Sequence, residues 1–358
     1  MSSKPETLSG GKMTTESKTK TDFRAPTTSK RLPRAVSDIL HRVGALSCLF
    51  TLVGIAFLPT VAVADGFSSD RITVNVEGKG DDVLLISGLG SSPRVWRELI
   101  RAVPGHRYHL VQISGFAGQP KRGNTEGLVA APAAEELARY IATMRISKPA
   151  VIGHSLGGLI GLMLAERHPQ AIAKLMVIDV RPFMGAAFGP PGTTAESIKP
   201  VADAILAQME GLDPAGRQQQ AQVTIDGMIN TVGKRKSALE DWMKSDPDVV
   251  ARALHEGFVT DLSPDLSKIA VPTVVLYTTM KNNQLTDLQT DSVYQAAYKP
   301  LNGVVLKHIP DTAHFIMWDQ PELFQTEVVA FLRWNFGLER KNESNEQITE
   351  NSQEPNVQ

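Results

Sequence analysis

The stretch Pro149-Ala-Val-Ile-Gly-His-Ser-Leu-Gly-Gly158 decides the fold, because it reads as a buried strand running into a helix through one serine. Ala150, Val151 and Ile152 form the apolar run of a strand covered on both faces. Leu159, Ile160, Leu162, Met163 and Leu164 then repeat with helical rather than alternating period. Gly153 and Gly157 flank Ser155 in a G-x-S-x-G pattern, where the missing Cβ atoms let strand and helix pack closely and leave the serine on a strained, exposed corner. Ser155 is therefore a candidate nucleophile. The backbone N–H of Leu156 opens the helix without an intrahelical partner and points to where a carbonyl oxygen becomes negative during attack by Ser155. Gly and Ser are common enough for the pattern to arise by chance; an apolar strand before it and an apolar helix after it set this occurrence apart.

Outward from this corner, the chain alternates short apolar runs with helical stretches, as a mostly parallel sheet covered by helices requires. Strands are expected over 71–76, 82–86, 108–113, 150–152, 175–180, 273–277 and 304–309, and helices near 93–101, 126–145, 155–168, 285–298 and 321–336. Between Arg181 and Ser263 the strand signal disappears. A loop rich in Gly and Pro over 182–194 is followed by four helix-like stretches over 201–258, broken near Gly211, Gly233 and Asp246-Pro247. A helical lid over 182–263, inserted into a core made of 65–181 and 264–338, accounts for this pattern. Nothing repeats at a solenoid period.

The 358 residues carry 37 Lys and Arg against 38 Asp and Glu, a balance that suits a globular protein and points to no nucleic-acid partner. Residues 1–42 are expected to form a disordered basic region, since the first thirty are rich in Ser, Thr and Lys and offer little to bury. Lys30, Arg31, Arg34 and Arg42 precede an uncharged apolar segment, Val43 to Val63, and Ala62-Val63-Ala64 supplies a small-x-small cleavage pattern. Segment 43–64 is thus expected to be an export signal cleaved near Ala64, placing the mature chain in the periplasm or outside the cell; the alternative is a membrane anchor at 43–63, long enough to span a bilayer. The long basic region before it is compatible with a translation start later than Met1. Cleavage removes 9 of the Lys and Arg and 4 of the Asp and Glu, leaving 28 against 34, a mildly acidic chain. Cys48, the sole cysteine, leaves with it, and disulfide or thiolate chemistry leaves too. The tail 339–358 is polar and expected to be disordered.

The order strand, serine corner, helix, strand, helical insertion, strand, strand, histidine resembles the α/β-hydrolase superfamily from Arg71 to Leu338. Three motifs carry the resemblance: Gly153-His-Ser-Leu-Gly157; Ser87-Gly-Leu-Gly90, with Trp96 just beyond; and Asp311-Thr-Ala-His-Phe-Ile-Met-Trp-Asp-Gln-Pro-Glu322. The resemblance implies an α/β-hydrolase fold and assigns His314, on the loop before the last helix, as general base to Ser155. His154, in the variable position of the corner, is expected to pack and orient the turn. Leu89, after the family's usual His-Gly pair, is implied as the second oxyanion donor through its backbone N–H, beside Leu156. Here Ser87 replaces that histidine, so the loop's internal bonds must differ while the main-chain donor survives.

The acid partner has three readings. Relatives usually carry an aspartate after the penultimate strand, where this chain has Thr278-Thr-Met-Lys-Asn-Asn283. Asp179, followed by Arg181-Pro182, resembles the position used by some lipases and by haloalkane dehalogenases. Asp287 lies in the usual loop a few residues late. Asn282 or Asn283 could orient the imidazole without charge, a poor substitute for a carboxylate.

Serine, histidine and two main-chain donors suit hydrolysis of a small to medium, partly apolar ester through an acyl-enzyme. No cofactor and no metal is expected, since the histidines lack metal-site spacing. The partner is a small-molecule substrate, and membrane contact is confined to the N-terminal segment. The competing classes are a ligand-binding protein that keeps the fold with a decayed triad, and a perhydrolase or C–C hydrolase on the same scaffold.

Overall fold

The computed structural model describes residues 62–63, 66–280 and 285–334. The expected basic region, all of the expected export segment but Ala62 and Val63, Cys48, Asn282, Asn283 and the polar tail lie outside the described residues.

Eight strands, β1 (Ala62–Val63), β2 (Ile72–Gly78), β3 (Asp81–Ile86), β4 (His106–Ile113), β5 (Ala150–His154), β6 (Lys174–Ile178), β7 (Thr273–Tyr277) and β8 (Val305–His308), form one sheet in the order β1-β2-β4-β3-β5-β6-β7-β8. Every pairing from β4 to β8 is parallel, whereas β2 runs antiparallel to β4 and the two residues of β1 antiparallel to β2. The helices are α1 (Arg97–Ala102), α2 (Ala130–Thr143), α3 (Leu156–Arg167), α4 (Ala195–Glu210), α5 (Pro214–Met228), α6 (Val232–Lys244), α7 (Pro247–Val259), α8 (Asp287–Tyr298), α9 (Ile316–Asp319) and α10 (Pro321–Arg333).

The continuous apolar runs of the central strands follow from burial on both faces. Leu84, Ile86, Leu175 and Val177 point into one core with Leu137 of α2 and Leu159 of α3, while Val83, Leu85, Met176 and Ile178 point into the other with Leu99 of α1 and Phe324 of α10. Helix α3 is buried without a break from Leu156 to Ala165, where its residues are apolar on every side. It starts hard against β3: a Cβ on Gly157 would lie 2.2 Å from the carbonyl oxygen of Ile86.

From β3 the chain first builds β4 on one side, then crosses to β5 on the other. This reversal opens a crevice beyond the carboxyl ends of β3 and β5, the place where open α/β sheets bind ligands.

Helices α4 to α7 fill the interval between β6 and β7 where strands were not expected. Several boundaries differ from the sequence reading. Helix α4 begins at Ala195, before Pro200, because Thr194 and Ser197 form a reciprocal capping box that starts the helix and leaves the proline inside it. The break between α5 and α6 falls at 229–231, and Gly233 sits in the first turn of α6, so that glycine ends nothing. Strand β6 stops at Ile178, two residues early, where Asp179 takes φ +50°. The short helix α9, directly after His314, was not foreseen.

Candidate active site

Ser155 occupies the turn between β5 and α3 with φ +55° and ψ −122°, a conformation that costs a non-glycine residue about 1–3 kcal/mol. Strand pairing holds it there: its N–H donates to the Ile178 carbonyl at 2.8 Å, and its own carbonyl accepts from Gly158 and Leu159 in the first turn of α3. The Leu156 amide, at the first position of that helix, has no intrahelical acceptor.

The loop after β3 passes directly against this turn. A Cβ on Gly88 would lie a tight 3.1 Å from the Ser155 Cβ and 3.1 Å from His154 Nδ1, so glycine here eases the close approach of main chain. Ser87, at the position of the family's histidine, is built into the loop. Its Oγ accepts from the Trp96 indole at 3.1 Å and donates to the Ser92 carbonyl at 3.3 Å. That pair answers how the loop holds its path without the histidine.

His314 follows β8, and its Nδ1 lies 2.7 Å from Asp179 Oδ2. A carboxylate accepts from Nδ1–H, which in the neutral ring leaves Nε2 as the basic nitrogen. The Asp179 carboxylate, buried at the end of β6, also accepts from the Thr278 amide at 3.3 Å and the Tyr294 hydroxyl at 3.0 Å. Burial pushes the Tyr294 hydroxyl well above the ordinary tyrosine value, and the neighbouring Asp179 charge adds to this, so Tyr294 remains a donor. Asp287 points elsewhere: it begins α8 and its carboxylate lies 3.8 Å from His308 Nε2. Of the two carboxylates considered from sequence, Asp179 is the one in contact with His314, and Asp287 is directed to a different imidazole.

His154 packs its ring 4.7 Å from that of His314 and 4.8 Å from that of Phe315, and its Nε2–H donates to the His314 carbonyl at 3.0 Å. Its Nδ1 is buried with no partner among the described residues. Full burial holds the imidazole well below the usual histidine range, with the His314 ring contributing in the same direction. The ring is packed and hydrogen-bonded against the His314 loop.

Side chains that the sequence reading gave no role also build this region. Asp319 accepts from the amides of Ala313, Asn230 and Thr231 at 3.0, 3.1 and 2.8 Å, tying the His314 loop to the α5–α6 turn. Asp319 stood inside the quoted motif, but its partners are 89 and 88 residues away in the chain. Tyr294, in the middle of α8, carried no local signal. In the insertion Phe183 is buried, whereas Phe188 is 53% exposed and packs on Phe258. Within the insertion, Leu212, Arg217, Trp242 and Met243 line a small cleft of about 30 Å³. Among the described residues no group of three or more His, Cys, Asp or Glu side chains is arranged to hold a metal ion.

A turn with a strained serine, a histidine–carboxylate pair and a close main-chain loop at the carboxyl ends of parallel strands define an α/β hydrolase. The chain belongs to the alpha/beta hydrolase family, whose model matches residues 83–325. It is 26% identical over 263 residues to the pimeloyl-[acyl-carrier protein] methyl ester esterase of Pectobacterium carotovorum, covering 71% of this chain and 96% of that one. A similar relative from Aeromonas hydrophila is 25% identical over 258 residues, covering 68% and 95%. Among solved structures, the enol-lactonase from Burkholderia xenovorans superposes with a TM-score of 0.59 at 17% identity over 74% of this chain and 96% of that one. A thermophilic esterase from Thermogutta terrifontis gives 0.58 at 19% over 73% and 93%.

Proposed function

We propose that this α/β hydrolase is a serine carboxylic-ester hydrolase in which Ser155, His314 and Asp179 form the triad and the Leu89 and Leu156 amides receive the oxyanion. The observation that carries the reading is the 2.7 Å contact between His314 Nδ1 and Asp179, because it leaves Nε2 as the proton acceptor. Ser155 Oγ attacks the ester carbonyl while His314 Nε2 takes its proton. The tetrahedral oxyanion is stabilised by two main-chain N–H groups fixed before the reaction begins. His314 then protonates the departing alcohol. Water, deprotonated by the same nitrogen, attacks the acyl-enzyme and releases the acid and Ser155.

Two departures from the family pattern favoured a ligand-binding chain with a decayed triad: no carboxylate over 278–283 and no histidine at 87. Asp179 on His314 and the Trp96–Ser87–Ser92 bonds supply both missing functions by other residues, which favours catalysis. The methyl-ester esterase relatives add to the ester reading. The apolar Phe183, Phe188 and Phe258 of the insertion suit a partly apolar acyl or alcohol group.

The test is labelling of the purified protein by a fluorophosphonate together with turnover of short-chain p-nitrophenyl esters. Wild type is expected to react with both and Ser155→Ala with neither. A wild type inert to probe and esters leaves the binding-protein reading in its place.

A further inference from the structure

The loop that brings main chain to Ser155 is held from its far side by the inserted helix α6. Gly88 faces the Ser155 turn; two residues on, Gly90 turns with φ +64° and faces α6, where an added Cβ would meet the Trp242 ring at 3.1 Å and Ser245 Oγ at 3.6 Å. Leu89 is the single residue between these two contacts. Its amide can face the substrate only while both sides of the loop stay where they are.

Two polar side chains fix the α6 side. The Asp241 carboxylate, 4% exposed, accepts from the Ser92 amide at 3.1 Å and the Ser92 hydroxyl at 2.6 Å. The Arg94 guanidinium closes on the same carboxylate, with Nε at 2.9 Å from both oxygens and a further short contact through Nη2. Ser245, just past the end of α6, has its hydroxyl 2.8 Å from the Asp241 carbonyl and 3.2 Å from the Gly90 carbonyl and accepts the Ala117 amide at 2.8 Å, so it sits between this loop and the one after β4. Buried Gln112 adds a weaker brace at the Ser91 carbonyl, 3.4 Å away. A buried carboxylate with this many donors is costly to leave half-satisfied, and a loop with two glycines has little stiffness of its own.

We propose that Asp241 and Ser245 are positioning residues for catalysis: acting across the insertion–core boundary, they hold the 87–92 loop so that the Leu89 amide meets the developing oxyanion. This rests on the reading of Leu89 as an oxyanion donor. It makes α6 a fixed wall of the active site rather than a cover that swings away.

The test compares wild type, Asp241→Asn and Ser245→Ala in the full chain, by steady-state ester kinetics and by hydrogen exchange of the 88–92 amides. Ser245→Ala is included because it removes one hydroxyl and leaves the buried ion pair intact, so it folds where Asp241→Asn fails to. A third variant, Glu256→Gln, loosens a different anchor of the insertion remote from this loop.

The expected result is a fall in kcat on the order of 10²-fold for Asp241→Asn and about tenfold for Ser245→Ala, with KM changed by less than about twofold, because a displaced donor is missed mainly in the transition state. Exchange over 88–92 rises in both, while Glu256→Gln lowers thermal stability without changing kcat at low temperature. Unchanged kcat in folded Asp241→Asn and Ser245→Ala, or an equal fall in Glu256→Gln, overturns the proposal. If wild type itself turns over no ester, the hydrolase reading fails separately. Exchange then still decides whether Asp241 and Ser245 hold the loop: faster exchange supports the clamp and unchanged exchange removes it.

Discussion

At the scale of single residues, the site rests on two positive-φ turns, Ser155 at +55° and Asp179 at +50°, at the ends of adjacent parallel strands. Each is pinned by a ladder bond from the next strand, 2.8 Å to Ile178 and 2.7 Å to Leu276, so the sheet maintains conformations that the residues alone would not choose. If Asp179 is the partner of His314, Asp179→Asn lowers kcat by about 10³–10⁴-fold, the scale of loss seen when a triad imidazole is given the wrong tautomer. Asp287→Asn, next to His308, changes kcat by no more than a few-fold; a comparable loss in both variants sinks the assignment. His154 gives a second prediction at this scale. Its folded value is depressed, so below the ordinary histidine pKa of about 6.5 the unfolded chain binds a proton that the native chain refuses. The stability it contributes is present above that pH and is lost as pH falls toward the lowered native value. Replacing it removes this dependence: the gap in melting temperature between wild type and His154→Gln narrows between pH 7.5 and 5.5. A gap that stays constant rules out a neutral, desolvated imidazole.

Among elements, the insertion is joined to the core through buried carboxylates. Glu256 of α7, 1% exposed, accepts the first free amides of α2, from Val129, Ala130 and Ala131, at 2.6, 2.7 and 2.7 Å. A helix N-terminus leaves such donors without intrahelical partners and carries a partial positive charge, so one carboxylate satisfies both needs. Arg252 of the same helix reaches the carbonyls of Gly127 and Asn124 just before α2. Glu256→Gln leaves part of this cap unsatisfied in a dry site and is expected to cost about 2 kcal/mol, or about 4–8 °C in melting temperature. Glu322→Gln, exposed in the first turn of α10, serves as the control and stays within about 0.5 kcal/mol of wild type. Equal melting shifts in the two variants show that the Glu256 cap contributes no more than a surface charge.

For the whole molecule, what the sequence made legible divides by range. The seven longer strands, the serine turn and the helix after it were readable because period, glycine spacing and apolar runs are local signals. His314 was readable only through its motif, and the choice between Asp179 and Asp287 was not decidable, because a contact between residues 135 apart leaves no local trace. The start of α4 was misread because Pro200 looks like a boundary, while the capping box that overrides it begins six residues earlier, at Thr194. Least legible were Asp241, Glu256 and Asp319, ordinary polar residues in the sequence, which between them join the insertion to the 87–92 loop, to α2 and to the His314 loop. Three such anchors spread over α5 to α9 make the insertion part of one cooperative unit, since it cannot melt without stripping partners from buried charges. Biosynthetic 5-fluorotryptophan labelling tests this in one chain, because Trp242 reports on α6 and fully buried Trp96 on the core beside β3. In a urea titration followed by ¹⁹F spectra, the native resonances of Trp242 and Trp96 are expected to vanish at the same midpoint. Loss of the Trp242 resonance at lower urea, with Trp96 still native, means that the insertion opens alone and that the three carboxylates do not couple it to the sheet.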